Sequence, residues 1–392
     1  MNNRPNDFYS LLAFGLGDVS FQQFVDRFKT KYDKEQTEGF VWDPEIQLDY
    51  TYEQLEATLG ITALPTYVDS ESDAYDRSLG SFNIGSNKIP TQKARYAMNR
   101  KILRERMLAV QKFGQAALNS DTRDALLDLL FESTDKLLQA NVNARTHQRM
   151  QICSTGKFTI NAVNNPQGLK GITFDFNIPK ENFDTLTTTK RWWTAAEHVP
   201  TNEGANSDPL EFLKSKRREM RKKGYPSGHF EMSQDLLDDL YTHTAVLKRI
   251  GLSMNPLVTE SSNAIVAAGN LVDEGKKEQM ERIIGCKIVP RDSVAVVDKF
   301  DKDAKELKPT TIENFAPQNV SFIPDGQIGT IKSVQQLSLN DPSSRIAWFD
   351  GNRTLLTQLY DSKNHAMFVQ SETSILLVPQ MPKYMQIYTV TA

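Results

Sequence analysis

QICSTGKFTI (residues 151–160), followed after a turn-rich interval by ITFDFNIP (172–179), decides how this chain is read. STGK at 154–157 looks like the end of a phosphate-binding loop. That loop requires G-x-x-x-x-G-K-[ST], with a glycine five residues before Gly156 and a hydroxyl directly after Lys157. Gln151 and Phe158 stand there instead. Without glycine's backbone freedom at the first position and a hydroxyl for Mg²⁺ at the last, no nucleotide cradle forms. Phe158 and Ile160 alternate with Lys157 and Thr159, NNPQG at 164–168 supplies turn residues, and Ile172, Phe174 and Phe176 alternate again. This pattern predicts a two-stranded hairpin, with STGK leading into its first strand.

Upstream, Met98, Ile102, Leu103, Met107, Val110 and Phe113 recur at helical intervals, with Arg95, Arg100, Lys101, Arg104 and Arg106 on the wetter face. A second start signal follows at Ser120-Asp121, with Asp124 at the capping-box offset and Leu126, Leu129, Leu130 and Leu137 continuing the stripe. Residues 92–150 therefore read as a long, kinked helical rod. Residues 60–92 are rich in Gly, Ser, Asn, Asp and Pro and read as a long hairpin or loop. Residues 1–60 are aromatic and irregular. They are either an arm that finds apolar partners on the same or a neighbouring chain, or a segment whose short helix at 21–31 docks on its own domain.

Downstream, Asp208 as N-cap, Pro209 at the first helical position and Gly224 past the end outline a helix over 209–223. Ser233 caps another, which runs through Leu236, Leu240 and Leu247 and closes at Gly251. Strands are expected at 286–298, 319–323, 366–379 and 384–390, the last two joined by PQMPK. The fold class is α+β, without internal repeats.

The 392 residues are 39% hydrophobic, enough for a sizeable core, and 46 Lys+Arg against 49 Asp+Glu leave a formal charge of −3. A dedicated nucleic-acid binder would be basic. Cys153 and Cys286 are isolated, which fits a reducing compartment and excludes a disulfide framework or zinc cluster. The first twenty residues show neither an export signal nor a spanning segment, so a cytoplasmic product is expected. The five histidines have no ligand spacing, and neither a nucleophile elbow nor a dinucleotide fingerprint occurs. Asp238-Asp239 and Asp301/Asp303 read as surface carboxylates. No catalytic, cofactor or metal site is expected.

Two features carry contact chemistry. KSKRREMRKK (214–223) places seven cations in ten residues. It reads as a solvated helix end or, through Lys216, Arg217, Arg218 and Arg221, as a contact to nucleic acid or an acidic neighbour. Trp192 and Trp193 read as packing or subunit contact, or as a base-stacking platform. The alternative function is accordingly a nucleic-acid-associated binding protein or enzyme using the basic helix 214–223.

The order of these elements resembles the major capsid proteins of tailed bacteriophages, nearest the lambda-type branch of the Hong-Kong-97-type capsid fold. GKFTI leading to ITFDFNIP, Trp193 before Asp208-Pro209, NFAPQNVSFIPDGQIGT (314–330) and the tail SILLVPQMPKYMQIYTVTA carry the resemblance, from about 95 to 392. It implies an N-terminal arm (1–60), an extended loop (61–95), a spine helix (96–151), a peripheral domain (152–185 with 366–392) and an axial domain (186–365). It further implies pentamers and hexamers tiling an icosahedral virion shell around double-stranded DNA, assembled in the host cytoplasm. A scaffolding protein, portal, head-maturation protease and decoration protein are the implied partners, with no cofactor and no membrane. Some such capsids weld a loop lysine to a neighbour's asparagine. Lys88 is the lysine in the right region, no partner is identifiable, and no crosslink is expected.

Overall fold

The structure, a computed structural model, describes residues 21–32, 37–49, 88–98, 120–187 apart from 167 and 169, 191–192, 207–254, 261–301, 306–337, 344–361 and 366–391, with isolated helical positions at 101, 104, 105 and 108. Most of the expected arm and loop, the greater part of 99–119 and Trp193 lie outside the described residues.

Helix α1 (Phe21–Tyr32) and strand β1 (Phe40–Trp42) come from the expected arm, and both dock on this same chain. Phe21, Val25 and Tyr32 pack with Leu138, Val142, Phe349 and Leu356. The short helix expected at 21–31 is present and docks on this chain, which fits either reading of the segment. Strand β2 (Thr91–Met98) follows, where the periodicity predicted the loop end and the start of the rod. Cross-strand partners override that local preference: Lys93 pairs with Glu372 at 2.9 Å and Thr91 Oγ1 lies 2.8 Å from Ser374 Oγ.

Helix α2 (Ser120–Thr155) is 36 residues long and ends inside the stretch that opened the reading. Gly156 adopts φ +74°, its N–H donates to Ile152 O at 2.9 Å, and a Cβ there would stand 2.8 Å from Phe183. Glycine thus stops the helix in a left-handed turn and releases the chain into the hairpin of β3 (Lys157–Ile160) and β4 (Ile172–Asp175), paired antiparallel from Lys157↔Asp175 to Ile160↔Ile172.

Two larger sheets flank the end of α2. The first is five-stranded, in the order β5 (Phe183–Thr185), β15 (Gln386–Thr389), β10 (Asn319–Pro324), β6 (Gly228–Ser233) and β7 (Ile288–Arg291). Helices α3 (Pro209–Lys222), α4 (Gln234–Thr242), α5 (Thr244–Met254), α6 (Ser261–Gly269) and α7 (Asp273–Ile284) accompany it, and α3, α4, α5 and α7 bury Leu213, Leu240, Ile250 and Met280 with Phe230 and Phe322 of the sheet. Asp208 caps α3 by accepting from the Glu211 amide, and Ser233 caps α4 by accepting from Leu236, as the sequence predicts. The second predicted helix breaks at His243, whose extended backbone ends α4 and whose Nδ1 accepts from the Ala245 amide at 3.2 Å.

The second sheet is six-stranded and organised by β14 (Ala366–Pro379). Its first part pairs with β13 (Thr354–Asp361) and with β2, and its last part with β11 (Gly329–Val334), all antiparallel. Strand β12 (Ser344–Phe349) extends it beyond β13, and β1 lies parallel to β11. Strands β14 and β15, read as a closing pair, therefore enter different sheets. The chain also crosses between the sheets at Pro324–Gly329. The predicted strand over 286–298 is two strands, β7 and then β8 (Val294–Asp301), which with β9 (Glu306–Glu313) makes a separate antiparallel ribbon.

Candidate functional site

Helix α2 holds both sheets through side chains that a solvent-exposed rod would not need. Arg145 pairs with Asp350 at 2.6 Å, and the Gln148 side-chain oxygen accepts from the Leu377 amide of β14 at 3.0 Å. One turn further on, Arg149 turns to the other sheet. Its guanidinium grips Glu231 of β6 with two hydrogen bonds, 2.6 and 3.1 Å, and its Nε donates to the Glu38 carbonyl at 3.0 Å. Arg291 of β7 donates to the same Glu231 oxygen and pairs with the Glu38 carboxylate at 2.7 Å. His229 completes the cluster, 3.2 Å from Glu231 and 2.9 Å from Asp325 in the crossing between the sheets.

Glu231 is fully buried. Burial would raise its pKa, but the Arg149 charge, the His229 and Arg149 hydrogen bonds and the Arg291 charge hold the carboxyl well below the usual range. Burial opposes the charge on His229 as well, and the Glu231 and Asp325 carboxylates outweigh it and raise its pKa. Cys153 lies beside the cluster as a buried thiol pushed up to about 12 by burial against the pull of Arg149, so it packs and does not attack.

Among the described residues, Glu38, His229 and Glu231 have ligand atoms within 4.8 Å of one another. The Glu231 oxygens already face two guanidiniums, so a dication would have to displace both. The cluster is an ion-pair junction joining the N-terminal segment, the long helix and the five-stranded sheet.

The residues expected from the sequence lie elsewhere. Trp192 is 1% exposed and edge-on to Phe212 at 6.2 Å, so it is a core residue and offers no face to a base or a neighbour. Within the basic run, Lys216 pairs with Asp184 at 2.8 Å, and Arg217 donates to the Ile284 carbonyl at 3.1 Å, capping the end of α7. Arg218, Arg221, Lys222 and Lys223 are exposed, and so is Lys88. Its own chain therefore uses Lys216 and Arg217 and leaves these four cations of the run at the surface. Beside its exposed end lies a cleft of about 530 Å³, with Met220, Tyr225, Pro226 and Phe322 among its walls and Arg217, Arg221 and Lys287 among its polar lining.

A family profile described as phage major capsid protein E matches residues 85–285, just over half of the chain. The chain belongs to the phage major capsid protein E family. As a member it is a structural, non-enzymatic subunit of a phage capsid shell, and its place is the virion. Comparison with curated proteins finds no match. Among solved structures the capsid chain is similar to a phage-related protein from Bordetella bronchiseptica RB50, at 12% identity over 77% of this chain and 75% of that one, TM-score 0.38. It is similar to a chain of the satellite phage P4 procapsid including size determination protein, at 12% identity over 96% and 92%, TM-score 0.41. It is also similar to the bacteriophage PhiM1 mature capsid, at 8% identity over 83% and 79%, TM-score 0.31. Among the described residues of this capsid subunit, no helix is long and apolar enough to cross a membrane.

Proposed function

We propose that this capsid subunit assembles through pentamers and hexamers into an icosahedral head shell of Hong-Kong-97 type around double-stranded DNA. The observation that carries this reading is the capsid-family match across residues 85–285, which spans the long helix, the hairpin and all five helices α3 to α7 around the five-stranded sheet. The five-stranded sheet with its helices serves as the axial half and the six-stranded sheet as the peripheral half, with α2 as the spine between them. In this division β11, β12 and β13 pass to the peripheral half and β5 and β15 to the axial half, while residues 1–60 and 61–95 remain the arm and extended loop, joined to the peripheral sheet through β1 and β2. One chain meets several different neighbours in such a shell, and many weak contacts close it together. A net charge of −3 suits a wall that contains DNA without gripping it. A scaffolding protein, portal, head-maturation protease and decoration protein are the partners of this reading, with assembly in the host cytoplasm.

The test is nuclease treatment of particles purified from a lysate that contains the complete set of head proteins. Closed particles retaining duplex DNA are expected; open sheets or filaments that protect none would refute the reading. Boiled, reduced particles should give one 44.4 kDa band, and a ladder would mean that Lys88 or another lysine does form a covalent weld.

A further inference from the structure

The ribbon of β8 and β9 is two-stranded, and ribbons of that size are marginal in water unless something covers them. Strand alternation puts Val294, Val296 and Asp298 on one face, opposite Glu313, Thr311 and Pro309. That face is exposed: Val294 is 56% and Val296 63% accessible, with Asp298 and Glu313 at the surface beside them. Pro309 lacks an N–H in the middle of β9, which hinders the addition of another strand along this edge. The ribbon is therefore suited to being covered on its face, and the cover must accept two valines flanked by carboxylates.

The same chain presents a surface with those properties, in which Arg221 and Lys287 outnumber one carboxylate, Asp325, itself held by His229. The cleft beside the end of α3 has apolar walls at Tyr225 and Pro226 over the nearly buried Met220 and Phe322, and Arg221 and Lys287 are exposed at its margin. Valines against apolar walls and carboxylates against cations match in both hydrophobicity and sign. A contact between two different patches is heterologous, the kind that closes into rings or runs on into a lattice. Resting on the capsid reading above, we propose that the Val294/Val296 face of one subunit seats in the Arg221/Lys287 cleft of a second copy of this chain. Arg221, one of the exposed cations of the basic run, then has a protein partner.

Charge exchange tests this on the full-length chain assembled with its scaffold. Asp298→Lys with Glu313→Lys, or Arg221→Glu with Lys287→Glu, should each lower shell yield at least about tenfold, because like charges then face each other. Combining all four should restore it. Independently, Val296→Cys with Lys287→Cys, oxidised in assembled shells, should give a ladder of linked chains that neither single variant gives. This second arm decides the matter where a charge variant fails to fold. Shells without a ladder, or folded charge variants that assemble normally or are not rescued in combination, overturn the proposal and leave the capsid reading standing. Absence of shells from the unaltered chain with scaffold overturns both.

Discussion

Two concentrations of charge in this subunit have opposite fates. The run at 214–223 is conspicuous in the sequence, yet Lys216 and Arg217 are spent on local contacts while Arg218, Arg221, Lys222 and Lys223 face solvent. The cluster of Glu38, Arg149, His229, Glu231, Arg291 and Asp325 is assembled from six scattered positions, and at its centre Glu231 and Arg149 are buried and mutually satisfied. A closed cluster holds one subunit together. An open one has cations left over for another molecule.

The sharpest way to break this contrast is to remove the centre of the closed cluster. Glu231→Ala leaves Arg149 and Arg291 without their shared carboxylate inside the protein and should cost about 3–5 kcal/mol in denaturant unfolding. A loss no larger than that of an exposed pair, about 0–1 kcal/mol, would show that the cluster is not a structural junction. Replacing Gly156 with Ala forces a side chain into left-handed backbone and toward Phe183. It should cost about 1–2 kcal/mol from the backbone alone, read as a lowered melting temperature, and an unchanged melt would mean that α2 ends differently.

The pH dependence sharpens the picture further. Because the folded pKa of His229 is raised, its protonated form contributes stability that is fully present below the ordinary imidazole value of 6.5 and is lost as pH rises through the raised folded value. His229→Gln should remove that part of the slope of unfolding free energy against pH, and an unchanged slope would place the titration elsewhere. The smallest effect belongs to the open charge. Arg218→Ala with Lys222→Ala should change the subunit's own stability by no more than about 0.5 kcal/mol. If the same change also lowered the salt slope of duplex DNA binding, the nucleic-acid reading of the helix would regain its footing.

This contrast also accounts for what the sequence could and could not reveal. Local chemistry was readable wherever the reason for an element lies inside it: the Asp208-Pro209 start, the Ser233 cap, the alternating hairpin over 157–175, the strand over 366–379. Elements whose reason lies elsewhere in the chain were not. Strand β2 owes its conformation to β14, not to the spacing of its own residues. The break at His243 depends on one side chain accepting an amide hydrogen bond. The ion cluster left a single trace, titratable His229 and Glu231 alternating with apolar Phe230 and Met232 in one strand, and such a pattern demands partners without naming them. Trp192 was ambiguous for the same reason: its indole belongs to a core built by Phe212 and residues far along the chain.

The most direct measurement of the central claim, that this chain is a shell subunit, is an electron micrograph of the purified protein after co-expression with its scaffolding protein. Closed, uniform shells built from this chain are the predicted result. A protein that stays monomeric at high concentration with the scaffold present would contradict the account.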